Sequence, residues 1–99
     1  MEDRMMTKAV QEVLAERQRQ IDVEGWTPEH DEDHKDGSLA VAGACYALNY
    51  PGVNIGSVIE SLWPWADSWW KPTTRRRDLV KAGALILAEL ERLDRLGNS

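Results

Sequence analysis

Arg76-Arg-Asp-Leu-Val-Lys-Ala-Gly-Ala-Leu-Ile-Leu-Ala-Glu-Leu-Glu-Arg-Leu-Asp-Arg95 decides the fold class. Leu79, Ala82, Ile86, Leu90 and Leu93 recur at the spacing of one helix face, and Val80, Ala84 and Leu87 widen the stripe. Pro72 with Thr73 or Thr74 supplies a start signal and Gly97 a stop. Glu91 and Arg95 stand at the i, i+4 spacing of an exposed ion pair.

Working outward, Met5, Met6, Ala9, Val10, Val13, Leu14 and Ile21 predict another amphipathic helix over Met5–Ile21. Between these helices, Gly37–Leu48 is almost uniformly small and apolar. Ala40, Ala44 and Ala47 or Leu48 are spaced to let another helix approach, and a helix apolar all round is expected to be buried on several sides. Tyr50-Pro51-Gly52 breaks it, and Ile55–Leu62 reads as a short helix or turn. No run alternates in the manner of a strand. The expectation is an all-α single domain over residues 1–99, with two long helices and one central helix of small residues.

A 99-residue chain has a small core, so pairing between copies would add stability, and homo-oligomerisation is expected. Twelve basic against 17 acidic residues, a net charge of −5, argue against a nucleic-acid backbone as partner, which requires a basic face. The single Cys45 lies in an apolar run and reads as a buried hydrophobe in a reducing compartment. The polar stretch Glu2–Lys8, and the lack of any apolar run near the roughly 18 residues that span a bilayer, predict a cytoplasmic protein with no membrane partner.

Three constellations could carry chemistry. Trp63, Trp65, Trp69 and Trp70 fall within eight residues, beside Lys71, and Trp26 is a candidate fifth member. Indole faces stack on bases for about 1–3 kcal/mol each, and a neighbouring cation adds to that. The alternative is that the indoles seal a small core or an oligomer interface, with at least one left exposed. Arg75, Arg76 and Arg77 open the last helix, where cations oppose the macrodipole and need a negative partner. A phosphate on the helix amides would answer them, and so would an acidic segment of the chain itself.

That acidic segment is the third constellation. Asp22–Asp36 loses periodicity and gathers seven carboxylates, with His30 and His34 at i, i+4. Glu24, His30, Asp31, Glu32 and His34, with Asp78, are candidate ligands for a divalent cation, the oxygen-rich set suiting magnesium or manganese and the added histidines zinc or nickel. A solvated acidic loop is the other reading, and Asp36 before Gly37 is placed to cap the central helix. No nucleophilic triad and no glycine-rich phosphate loop is present.

The runs Glu16-Arg-Gln-Arg-Gln-Ile21, Glu24-Gly-Trp-Thr-Pro-Glu-His-Asp-Glu-Asp-His34 and Arg76–Arg95 resemble small phage and prophage proteins that sit near the MazG-like nucleotide pyrophosphohydrolases. The likeness covers nearly the whole chain. It implies a helical bundle, a nucleotide ligand and a bacterial host cytoplasm. MazG-like enzymes hold magnesium with an E-x-x-E pair on one helix and E-x-x-D on a later one. Here the central helix carries no carboxylate, and the last helix opens with Asp78 followed by Lys81. Glu29 with Glu32 and Glu91 with Asp94 match only as strings. The expectation is therefore a non-catalytic nucleotide binder that sequesters a nucleotide signal of host immunity. The alternatives are a divergent pyrophosphohydrolase, with Asp22 joining the metal candidates, and an inhibitor docking on a host protein.

Overall fold

The computed structural model describes residues 6–27, 36–50, 52 and 55–97. Among them the chain is all-α. Helix α1 spans Lys8–Asp22, α2 spans Ser38–Leu48, α3 spans Gly56–Leu62 and α4 spans Arg75–Arg95, with a 3-10 turn at Asp67–Trp69. The candidate metal ligands His30, Asp31, Glu32 and His34 lie outside the described residues.

Local chemistry sets the helix ends. The Thr7 hydroxyl accepts from the Val10 amide at 3.1 Å, so α1 begins at Lys8 rather than Met5. Thr74 caps α4 in the same way, accepting from the Arg77 amide at 3.1 Å. Gly97, at φ +82°, closes α4 in the left-handed conformation that glycine adopts without strain. Gly37 holds the N-cap position of α2 at φ +84°, while the Asp36 carboxylate accepts from the Ser38 amide at 3.1 Å. The expected aspartate cap is thus present one residue outside the cap position.

Helix α4 is the spine, packed mainly against α2 and on a second side against α1. Trp26, Leu39, Ala42, Tyr46, Ala82, Leu85 and Ala88 form the core, with Trp63, Trp65 and Trp70 half-buried against it. The α2–α4 contact is close: a Cβ on Gly43 would stand 3.2 Å from the Ala82 carbonyl oxygen. A Cβ on Gly83 would likewise lie 3.2 Å from Val13, so glycine sets the α1–α4 spacing too.

Three features of the amphipathic pattern differ from expectation. On α2 the packed face is Leu39, Ala42, Gly43 and Tyr46, while Ala40 and Ala44 are exposed. On α4 the inward row centres on Leu85 and Ala88, leaving Leu79, Ile86 and Leu90 44–53% exposed. The reason is that α4 meets two helices on adjacent sides, which moves its buried arc off the leucine row. On α1 the buried residues are Glu16, Arg17 and Gln20, whereas Val10 and Leu14 are exposed. Val10, Val13 and Leu14 with Gly83, Ile86, Leu87 and Leu90 line a shallow apolar groove of about 340 Å³. Glu91 pairs with Arg17 at 3.0 Å, a partner 74 residues away in sequence.

Candidate ligand cleft

The inward polar face of α1 forms one wall of a cleft of about 440 Å³. Glu16, Arg19 and Gln20 share that face because three- and four-residue steps return to one side of a helix. After α1 the chain turns at Gly25, φ +76°, and folds back, the Trp26 amide donating to the Gln20 carbonyl at 3.0 Å. Arg17 then donates to the Trp26 carbonyl at 3.1 Å. These bonds hold the Trp26 indole, 8% exposed, in the core and at the cleft wall.

The opposite wall is the segment leading into α4. The Tyr46 hydroxyl accepts from the Lys71 amide at 3.1 Å, and Lys81 donates to the Lys71 carbonyl at 2.7 Å and to the Thr73 hydroxyl at 3.3 Å. Asp78, buried at the start of α4, accepts from the Thr73 amide at 2.8 Å and from the Asn49 side chain at 3.1 Å. Its oxygens therefore fasten the α4 entrance to α2.

The cleft has an excess of positive charge in a negative protein. Arg19, Lys71, Arg77 and Lys81 line it against the carboxylates of Glu16 and Glu24. Glu16 receives hydrogen bonds from both Arg19 and Arg77. Glu24 pairs with Arg19 at 3.2 Å and with Lys71 at 3.5 Å. Burial alone would push the Glu16 carboxyl up, but the Arg19 and Arg77 hydrogen bonds outweigh it and hold the group below its ordinary value. Burial pulls the Lys81 ammonium below its ordinary value, with Asp78, 3.9 Å away, offsetting part of the effect. Burial also raises the Tyr46 phenol, which stays neutral across the physiological range.

Gln20 adds an orphan. Its Nε2 donates to Glu16 at 3.3 Å, which fixes the amide orientation because a carboxylate only accepts. Its buried Oε1 has no hydrogen-bond partner among the described residues. Such an atom costs about 1–3 kcal/mol and marks a place where a donor would be welcome.

The aromatic residues form one connected layer. Trp26 lies 5.5 Å from Trp65 and 5.9 Å from Trp69 between ring centroids, and Trp63 is 5.5 Å from Trp65. Tyr46 meets Trp70 at 4.7 Å, and Trp63 meets Trp70 at 4.9 Å. Among the tryptophans, Trp69 alone is classed as exposed, at 38%, with the Lys71 ammonium 5.5 Å over its ring. Trp26 alone is part of the core, Trp63, Trp65 and Trp70 pack half-buried against it, and Trp26 joins the other indoles through Trp65 and Trp69.

The predicted ligand residues are only partly gathered. Trp26, Lys71 and Arg77 line the cleft, and Glu24, a metal candidate, lines it as an ion-pair partner. Trp63 and Trp70 instead border a second cleft of about 660 Å³ with Glu60 and Asp67. Trp65 and Trp69 back Trp26. Arg75 donates to the Ala47 carbonyl and lies 4.6 Å over the Tyr50 ring, while Arg76 pairs with Glu12. The three arginines therefore diverge, and α1 supplies carboxylates that answer Arg76 and Arg77. Among the described residues no three His, Cys, Asp or Glu side chains come together as a metal-holding group.

Arg19, Gln20, Tyr46 and Lys81 escaped the sequence reading. The available signals were the i, i+3, i+4 polar face Glu16, Arg19, Gln20, and a lysine interrupting the apolar run Leu79-Val80-Lys81-Ala82. No helix among the described residues is long and apolar enough to cross a membrane. The chain matches no protein-family model, and neither a curated protein nor a solved structure is significantly similar to it.

Proposed function

We propose that the protein binds a nucleotide-like ligand, an aromatic ring carrying phosphate, in the cleft between α1 and the start of α4, without turning it over. The observation carrying this reading is the lining itself: four cations against two carboxylates, beside the Trp26 and Tyr46 rings, in a chain of net charge −5. Phosphate oxygens would take the surplus positive charge of Lys81, Lys71 and Arg77, where Lys81 has only neutral oxygens at hydrogen-bond distance among the described residues. The ring would lie against Trp26 and Tyr46, and a ring N–H would answer Gln20.

Turnover is disfavoured by the state of the reactive groups. Both cleft carboxylates are committed to guanidinium or ammonium groups. The Tyr46 hydroxyl is tied to the Lys71 amide, and the Cys45 thiol is buried, with its pKa raised by that burial. In the phage setting implied by the resemblance, such a protein would act in the host cytoplasm by sequestering a nucleotide signal. Copies of the chain would pair through the α1–α4 groove. Val10 and Leu14, and Ile86 and Leu90, repeat at four-residue steps there, and charge-neutral pairs, Arg76–Glu12 and Arg17–Glu91, also link the two helices.

The test is incubation with canonical, cyclic and ADP-ribose-type nucleotides plus magnesium or manganese, with filtrates chromatographed before and after heat denaturation. A nucleotide that disappears and returns intact on heating is the expected result. Conversion to monophosphate and pyrophosphate would establish the hydrolase instead, and an unchanged panel would point to a host-protein partner.

A further inference from the structure

The second cleft has the opposite chemistry from the first and shares the aromatic layer with it. Trp63 and Trp70 line it as a contacting pair, 4.9 Å between ring centroids and inclined at 59°, together with Ile59 and Gly56. Its charged groups are both acceptors. The Glu60 and Asp67 carboxylates line it, are exposed, and make no hydrogen bond or ion pair among the described residues. Asn49 lines it too, one hydrogen of its Nδ2 given to Asp78 at 3.1 Å. The Trp63 indole N–H is committed to the Ala66 carbonyl at 3.1 Å, so Trp63 offers the cleft its ring rather than a donor. Among the described residues no lysine or arginine lines the cleft.

We propose that this cleft binds a small organic cation, an alkylammonium or guanidinium compound, against the contacting Trp63 and Trp70 rings with its N–H groups on Glu60 and Asp67. The negative faces of two indoles attract a cation, and two carboxylates without internal partners supply the counter-charge. A volume of about 660 Å³ falls within the usual range for small-molecule sites. A purely apolar ligand would leave both carboxylates unanswered, and an anion would be repelled by them. The site is independent of the nucleotide reading, because none of its lining residues borders the basic cleft.

The probe is agmatine, which carries a guanidinium at one end and an ammonium at the other. It is titrated into the full-length protein while the Trp63 indole N–H resonance and tryptophan fluorescence are followed. Saturable binding is expected, weakened at least tenfold by Glu60→Gln with Asp67→Asn. Both side chains are exposed and unpartnered, so the double variant should keep the wild-type fold, checked by circular dichroism. 4-Guanidinobutanoate, which replaces the ammonium by a carboxylate, should bind more weakly than agmatine, and Lys81→Met should leave agmatine binding unchanged. Absence of a saturable response, or a response that survives the double variant, would overturn the proposal. Sedimentation of the same samples separates the source of the cation. Dissociation of an oligomer by agmatine would assign the site to a lysine or arginine of a second copy, and an unchanged mass to a free small cation.

Discussion

The two clefts are built on one layer of aromatic rings, yet they use charge in opposite ways. In the basic cleft every carboxylate is committed: Glu16 to Arg19 and Arg77, Glu24 to Arg19 and Lys71. In the acidic cleft Glu60 and Asp67 are bound to nothing among the described residues. The first set of charges therefore holds the fold and shapes a site at the same time, so its variants should move stability and binding together. The second set is free to serve a ligand, and its variants should move binding alone.

The largest effect should come from Trp26→Ala, which removes a core indole that also forms the basic cleft wall. A loss of about 3–5 kcal/mol in urea unfolding is expected, whereas Trp69→Ala, at the more exposed edge of the layer, should cost clearly less. Equal losses at the two positions would mean that the layer is not divided between core and surface as described.

Glu16→Gln should follow, at about 1–2 kcal/mol for weakened charge-assisted bonds, since Arg19 and Arg77 are each more than a third exposed and water recovers part of the interaction. The same group makes stability depend on pH. The folded-state pKa of Glu16 is depressed, so its contribution is complete above the ordinary carboxylate value of 4.5 and disappears as pH falls through the lower folded value. Acid titration of the wild type should show this loss and Glu16→Gln should flatten it.

Lys81→Met should have a smaller effect on stability but weaken nucleotide binding about tenfold or more, the scale of one charge-assisted contact. Because the folded Lys81 pKa lies below 10.5, affinity should decline as pH rises through that lowered value, with a proton taken up on binding within that interval. Calorimetry in buffers of different ionisation enthalpy measures the uptake. The smallest change should be Leu90→Asp. It lies at a 53% exposed position, leaves the folded monomer nearly as stable, and should shift sedimentation toward the monomer.

The parts of the fold legible in the sequence were those governed by short-range chemistry. The Thr74 start and Gly97 stop of α4, the small-residue α2 and the break after Leu48 follow from capping and propensity, and all are present. What escaped was which face turns inward. Leu79, Ile86 and Leu90 read as the buried stripe, but packing against α1 and α2 on adjacent sides selected Leu85 and Ala88. Periodicity identifies an apolar face and says nothing about how many neighbours share it.

The site was legible in residue types more than in partners. Trp26, Lys71 and Arg77, singled out as aromatic and cationic residues, do line one cleft. Arg19 and Gln20 were hidden inside a helix read for its apolar residues, although its buried face is polar. The partners of Arg76 and Arg77, Glu12 and Glu16, lie 64 and 61 residues away, a distance over which sequence spacing carries no geometric information.

The most direct test of the central contrast is retention of the nucleotide panel by wild type, by Lys81→Met and by the Glu60→Gln, Asp67→Asn double variant, measured side by side with release on heating. The expected result is one nucleotide held by the wild type and the double variant, released intact, and lost by Lys81→Met. Retention that survives Lys81→Met, or fails in the double variant, would contradict the assignment of anionic ligands to the basic cleft.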